Sequence, residues 1–237
     1  MNGVAPLSDI IVLSANTTAR PVLLEAPEPP PEGWDVTSTV ALVSDYRLGG
    51  VTRSAHAAAL QTSIDAHHSS GWSVGGFAAN VDKRKGGDFE LEVHAAKSFA
   101  IDDTEFSVGA LWAVIPQTQG EDFGIAQFSA SRAIGPVDVT LAVNYAWPQS
   151  NLDDEDNTSI RLRARTPIGR LAGVPITLGA SVGYSEGELT LEDKKNDWSV
   201  SAAAAFGAAD IALAYVDTDL DSERGDPALI FSIAVSF

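Results

Sequence analysis

From Trp34 onward the apolar residues recur at every second position, a period of two instead of the 3.6 of a helix. Val137, Val139, Leu141, Val143, Tyr145 and Trp147 share one face, opposite Asp138, Thr140, Ala142 and Asn144. Ile160, Leu162 and Ala164 oppose Arg161, Arg163 and Arg165, and Phe89, Leu91, Val93 and Ala95 oppose Glu90, Glu92 and His94. Leu60, Thr62, Ile64 and Ala66 oppose Gln61, Ser63, Asp65 and His67. The pattern predicts strands at 35–47, 57–67, 71–82, 88–99, 104–116, 122–133, 137–147, 157–166, 174–186, 197–206, 209–217 and 228–237. That is about twelve, an even number, each close to the ten or so residues of a tilted membrane-crossing strand. Alternation is less regular at 71–82 and 122–133, where a bulge or shifted register is expected.

The connections alternate in length. "HHSSG", "IDDT", "IGPV", "PIGRLAG" and "GAAD" are short, whereas "RLGGVTRSAH", "DKRKGGD", "PQTQGED", "PQSNLDDEDN", "SEGELTLEDKKN" and "DTDLDSERGDP" are mostly longer and more charged. Short turns at one end and long polar loops at the other fit a transmembrane barrel. Trp112, Tyr145, Trp147, Tyr184, Trp198 and Tyr215 fall toward the long-loop end; Trp72, Phe99, Phe106, Phe206 and Phe237 fall toward the short-turn end. Two such girdles mark the two faces of a bilayer. Lys97 is the one charge expected on the outer face, close enough to a rim to snorkel. A soluble antiparallel sandwich would carry the same alternation with its faces reversed toward water. The even meander and the strand-forming Phe237 at the last position favour the lipid-facing barrel.

Composition narrows the chemistry. Hydrophobic residues make up 45% of the 237 positions and no apolar run reaches the length of a spanning helix. Cysteine is absent, which removes disulfides and thiolate metal sites. The net charge of −17 argues against nucleic acid as a partner. "NGVAPLSDIIVLSANTT" after Met1 lacks the features of a secretory leader, so the chain reads as cytosolic or as a mature form behind an added methionine. "LEAPEPPPEGW" is a semi-rigid proline-rich tether. Residues 1–33 are therefore expected to be a flexible periplasmic segment, with little helix anywhere else, and 34–237 the barrel.

The stretch "VALVSDYRLGGVTRSAHAAALQTSIDAHHSSGWSVGGFAANVD" resembles the opening of the TorF-type porin family of proteobacterial outer membranes. The likeness rests on Ser44-Asp45-Tyr46-Arg47, Leu60-Gln61 through His67, Gly71-Trp72, Asn80-Val81-Asp82 and Glu90/Glu92. It is specific over the first four strands and architectural beyond them. Gly49 stands where that family carries a second arginine, and the usual proline before the Ala-Leu-Gln strand is missing. The resemblance implies an outer-membrane barrel of a Gram-negative bacterium.

Twelve strands close into a backbone cylinder about 24 Å across, leaving roughly 8–12 Å if the inner side chains are small. The inward set mixes small residues (Thr37, Thr39, Ser63, Thr140, Thr177, Ser181, Ser199, Ser201, Ser232 and Ser236) with long or charged ones. The expected pore-lining charges are Asp45, Arg47, Asp65, His67, Glu90, Glu92, His94, Arg161, Arg163 and Arg165. Three arginines at i, i+2, i+4 make a cationic stripe, which either draws anions through or pairs across the barrel with the acids of the first four strands. No histidine is placed with a serine and an orienting acid on the outer face, so catalysis is not expected. His67 and His94 are too few for a metal site, and "DTDLDSERGD" lacks the spacing of a calcium loop, so no cofactor is expected. The expected partners are lipid and lipopolysaccharide, small hydrophilic solutes, and a periplasmic or membrane protein met by residues 1–33. Two function classes stand: a passive, weakly selective pore, or an interaction protein with a plugged lumen.

Overall fold

The structure is a computed structural model and describes residues 33–84, 87–114, 116, 122–190 and 192–237. The strands are β1 (Trp34–Val43), β2 (Arg47–Leu48), β3 (Val51–Thr52), β4 (Ala59–His68), β5 (Trp72–Arg84), β6 (Gly87–Ile101) and β7 (Thr104–Val114). The second half adds β8 (Asp122–Ile134), β9 (Val137–Ala146), β10 (Asn157–Leu171), β11 (Val174–Gly187), β12 (Lys194–Phe206), β13 (Ala209–Thr218) and β14 (Ala228–Ser236). All except β2 and β3 form one closed antiparallel barrel of twelve strands, each paired with its neighbours in sequence and β1 closing on β14. The terminal residue is held in that closure. Phe237 exchanges both backbone hydrogen bonds with Ser38, at 2.9 and 3.0 Å, and Ser236 N–H donates to the Ala208 carbonyl at 3.0 Å.

The two faces settle between lipid and a soluble core. Val93 is 61% exposed and Val200 57%, whereas Gln61 is 1% and Glu90 2% exposed. The apolar residues point out and the polar residues point in, the inverse of a soluble domain. Each Val- or Leu-sized side chain left in water forgoes about 1.5–3 kcal/mol of burial, so this belt requires a hydrocarbon solvent. The girdles stand as expected: Trp112, Tyr145, Trp147, Trp198 and Tyr215 are exposed at the long-loop end, and Trp72, Phe99, Phe206 and Phe237 at the other. Phe99 stacks on Phe106 with centroids 5.7 Å apart. Lys97 folds over the Trp72 ring, 5.6 Å from its centroid, and donates to the Ser70 carbonyl in the short turn. Arg132 also lies on the outer face, contrary to the expectation of a single outer charge; it sits at the short-turn rim and meets Asp103 at 3.3 Å. Placing arginine at Val200, in the middle of β12, should cost about 2–4 kcal/mol in reversible unfolding from lipid vesicles. Ser199→Arg on the inner face should cost much less, and equal losses would refute the lipid assignment of the outer face.

Several expectations are corrected. β1 ends at Val43 rather than continuing to 47, because the chain turns into the β2–β3 hairpin. "PIGRLAG" is mostly strand, since β10 runs to Leu171, and "DKRKGGD" is largely taken up by β5 and β6. The register shifts between Asn80 and Arg84 as the irregular alternation predicts, but β8 pairs regularly on both sides. A second shift lies at Pro167/Gly169, where proline has no N–H for the ladder. The helical content among the described residues is two 3₁₀ turns in long loops, Ser150–Leu152 and Glu223–Gly225. The expectations for residues 1–32, their flexibility and any partner they meet, lie outside the described residues.

Candidate functional site

The inner wall is built by the period of the strands: every second residue of the twelve must point to the axis. Small polar residues fill much of it and bond along the wall. Thr39 meets Ser236, Ser131 meets Thr140 and Ser181 meets Ser199, each at 2.9 Å. The charges are held in a different way. On β4–β5–β6 the register sets Asp65 opposite Gly75 and Gly75 opposite His94. With no side chain between them, Asp65 Oδ1 and His94 Nε2 meet across β5 at 3.0 Å. A Cβ on Gly75 would come within 2.4 Å of that carboxylate and 2.6 Å of that ring.

The same device recurs on β10–β11–β12, where Arg161 faces Gly183 and Gly183 faces Asp197. Arg161 Nη1 lies 2.6 Å from Asp197 Oδ1 and its Nη2 donates to Oδ2 at 2.8 Å. Lys195 joins the same carboxylate at 3.2 Å, and Asp197 is only 2% exposed. The arginine stripe was expected either to draw anions through or to pair with acids of the first four strands. Arg161 pairs with Asp197 two strands away, which the bare Gly183 between them allows. Arg163 and Arg165 stand below Arg161 on the same inward face. His67 is half-buried near the short-turn end, opposite Asp35 and Ser73.

Asp45 and Arg47 lie in the mouth and not in the wall. Gly49 and Gly50 turn the β2–β3 hairpin with φ of 54° and 82°, the left-handed conformation a two-residue hairpin turn demands. Arg47 is 1% exposed and donates to Asp45 Oδ2 (2.7 Å), to the Gly50 carbonyl (2.9 Å), to the Asp226 carbonyl (2.5 Å) and to His56 Nδ1 (3.2 Å). His56 Nε2 then donates to the Glu223 carbonyl at 3.0 Å. Thr52 donates to the other oxygen of Asp45 at 2.5 Å. Tyr46 anchors the segment from below, edge-on to Phe77 at 6.1 Å, in an inward apolar patch with Val43, Ala59, Ala79 and Val81.

The hairpin reaches across the barrel. On one side Arg53 donates to Glu90 of β6 at 2.5 Å, and its carbonyl accepts from Asp82 N–H of β5 at 2.7 Å. On the other, the Gly49 carbonyl accepts from Lys195 of β12 at 2.6 Å. β6 and β12 are six steps apart in a ring of twelve, so these anchors stand at opposite ends of a diameter. Burial alone would lower the Arg53 pKa, but the Glu90 carboxylate, with Tyr46 and Glu92 near, outweighs it and holds the guanidinium above its ordinary range. Lys195 occupies the space that a side chain at Gly49 would need, with Nζ 2.4 Å from the position of a Cβ there.

Lys195, Asp197 and Arg53 were missed by sequence reasoning. "KKN" read as loop ahead of a strand beginning at 197, although Lys195 already keeps the inward period of Asp197 and Ser199 in β12. Among the described residues, no three acidic, histidine or cysteine side chains converge to hold a metal ion.

A closed twelve-stranded antiparallel barrel with an apolar belt and a charged lumen is a porin-like transmembrane β-barrel. The chain belongs to a family described as bacterial protein of unknown function (Gcw_chp), whose model matches residues 28–233. No curated protein matches it. Its fold is similar to that of the KdgM porin, with a TM-score of 0.57 at 7% identity over 86% of this chain and 98% of that one. The NanC porin gives 0.55 at 10% identity over 86% and 99%. An outer-membrane channel from Pseudomonas putida F1 gives 0.51 at 11% identity over 90% and 99%.

Proposed function

We propose that this chain is a porin of the Gram-negative outer membrane, passing small hydrophilic solutes by passive, weakly selective diffusion through a lumen narrowed by residues 44–58. The observation that carries this reading is the inversion of the barrel: charged residues such as Glu90 and Asp197 buried inside, apolar residues exposed outside. A structure of the KdgM porin was solved in complex with disordered oligogalacturonate, so a barrel of this fold takes a polar solute as ligand. The resemblance of Val40 to Asp82 to TorF-type porins supports the same conclusion. Lipid and lipopolysaccharide surround the belt, and residues 1–33 offer a periplasmic segment to a protein partner.

Planar-bilayer recording is the test. Steady single-channel steps support the pore, and silence supports the rival reading of a plugged interaction protein, which the hairpin anchored across the mouth favours. The acidic loops should give weak cation preference at low salt. At about 0.15 M the Debye length is roughly 8 Å, so solvated loops lose reach while the confined arginines do not, and the preference should fade or reverse. Replacing Arg161, Arg163 and Arg165 together by serine should strengthen cation selectivity at high salt; an unchanged reversal potential would remove the stripe from the permeation path.

A further inference from the structure

The two rims of the apolar belt carry opposite chemistry. At the long-loop end the outward tyrosines end on carboxylates: Tyr145 donates to Asp156 at 3.2 Å, Tyr184 to Glu186 at 2.6 Å and Tyr215 to Asp217 at 2.8 Å. At the short-turn end the outward rings of β1 and β4–β6 meet donors instead. Trp34 pairs with His68 across β1 and β4, and Trp72 with Lys97 across β5 and β6, with the turn at 69–71 joining the two pairs. The four side chains form one row on the lipid-facing side. The Trp34 and His68 rings lie 5.1 Å apart, and Trp34 and Trp72 are 55% and 52% exposed.

The polar side-chain groups of this row are donors. Lys97 lies four residues inside the end of β6 at Ile101, so its Cα stands in the apolar belt. Its ammonium bends across the Trp72 ring to the turn and gives one of its three N–H groups to the Ser70 carbonyl. Ser70 N–H donates to His68 Nδ1 at 3.1 Å, which puts the proton of that ring on Nε2. Among the described residues, the other Lys97 donors, His68 Nε2–H and both indole N–H groups find no acceptor, and no carboxylate pairs with Lys97. An ammonium with unused donors at the edge of hydrocarbon is costly unless an anion meets it.

Resting on the reading of the chain as an outer-membrane barrel, we propose that this row binds a phospholipid of net negative charge, its phosphate on Lys97 and His68. The ligand is a lipid because the donors open onto the belt: Ile64 and Val74, outward on the same strands, are exposed beside them and receive the acyl chains. The phosphate oxygens accept the unused N–H groups in charge-assisted hydrogen bonds. A headgroup with its own ammonium brings a second cation to a row without a carboxylate, so choline and ethanolamine lipids bind less tightly. Lipopolysaccharide borders the other rim, where Asp156, Glu186 and Asp217 repel its phosphates.

Native mass spectrometry of the purified full-length protein in detergent micelles measures the first bound lipid, with phosphatidylglycerol and phosphatidylcholine of the same chains as probes. The parent should hold phosphatidylglycerol about fivefold more tightly, the worth of one basic residue at an anionic lipid surface. Lys97→Gln should bring the two lipids level, Lys97→Arg should keep the preference, and His68→Phe should reduce it. Arg132→Gln, at the same rim but beside Asp103, should leave it unchanged. Heat-modifiable gel migration reports that each variant is folded. Equal affinity for both lipids in the parent, or a preference that survives Lys97→Gln, overturns the proposal. Displacement of the bound lipid by inorganic phosphate would assign the row to a free anion and overturn it as well. A parent that gives no heat-modifiable form in phosphatidylcholine vesicles would instead overturn the outer-membrane reading on which the proposal rests.

Discussion

Asp197→Ala is expected to destabilise the barrel by roughly 3–5 kcal/mol, the cost of stripping one partner from a buried ion pair. The carboxylate is 2% exposed and lies within 3.2 Å of both the Arg161 guanidinium and the Lys195 ammonium. Its removal leaves two cations facing each other with side chains only 13% and 6% exposed. The same lysine ties the hairpin through Gly49, so the loss spreads from the wall to the mouth. Urea unfolding monitored by tryptophan fluorescence measures the effect. The triple variant Arg161→Gln, Lys195→Met, Asp197→Ala should recover most of it, because removing a whole buried cluster leaves no orphaned charge. A single variant as stable as the parent would mean that the lumen solvates these cations freely.

Excising the hairpin should raise single-channel conductance about twofold or more, as expected when the narrowest cross-section of a barrel is cleared. The geometry allows a clean cut. Arg53 N–H donates to the Tyr46 carbonyl at 2.7 Å, so the ends of the hairpin stand side by side. Residues 47–52 can then be replaced by a two-residue Asn-Gly turn without stretching the chain. Tyr46 keeps its place on Phe77, and β1 and β4 keep their pairing. The deletion removes Arg47 and with it the bonds to Asp45, Gly50, Asp226 and His56 that hold the segment down. Conductance equal to the parent's would place the hairpin outside the path of ions.

The barrel was legible because its signal is repeated. Val137 to Trp147 and Ile160 to Arg165 alternate without a break, and those strands occur where the period puts them. The end of β1 was not legible, since Val43, Asp45 and Arg47 continue the inward period past the point where the chain leaves the wall. The clue was "RLGGVT", a glycine pair between β-forming residues, which is a hairpin signal in its own right. The partners of the charges were harder still. Arg161 and Asp197 are 36 residues apart in sequence, and only the pairing of β11 with both neighbours brings them together. Alternation fixes which face a side chain occupies, but it carries no register, and register decides who meets whom.

The glycines beneath the two charge pairs have a consequence for how such a chain can drift. Gly183 is constrained by side chains on two other strands, whose reach its missing Cβ permits. An alanine there is harmless only after Arg161 or Asp197 has already been lost, and a new charge pair can arise only where the strand between is bare. Three positions scattered over 36 residues are thus inherited as a single trait, as are Asp65, Gly75 and His94 on the opposite wall. Descendants of this sequence should keep each trio whole or abandon it whole, with the loss of the charges coming before the loss of the glycine.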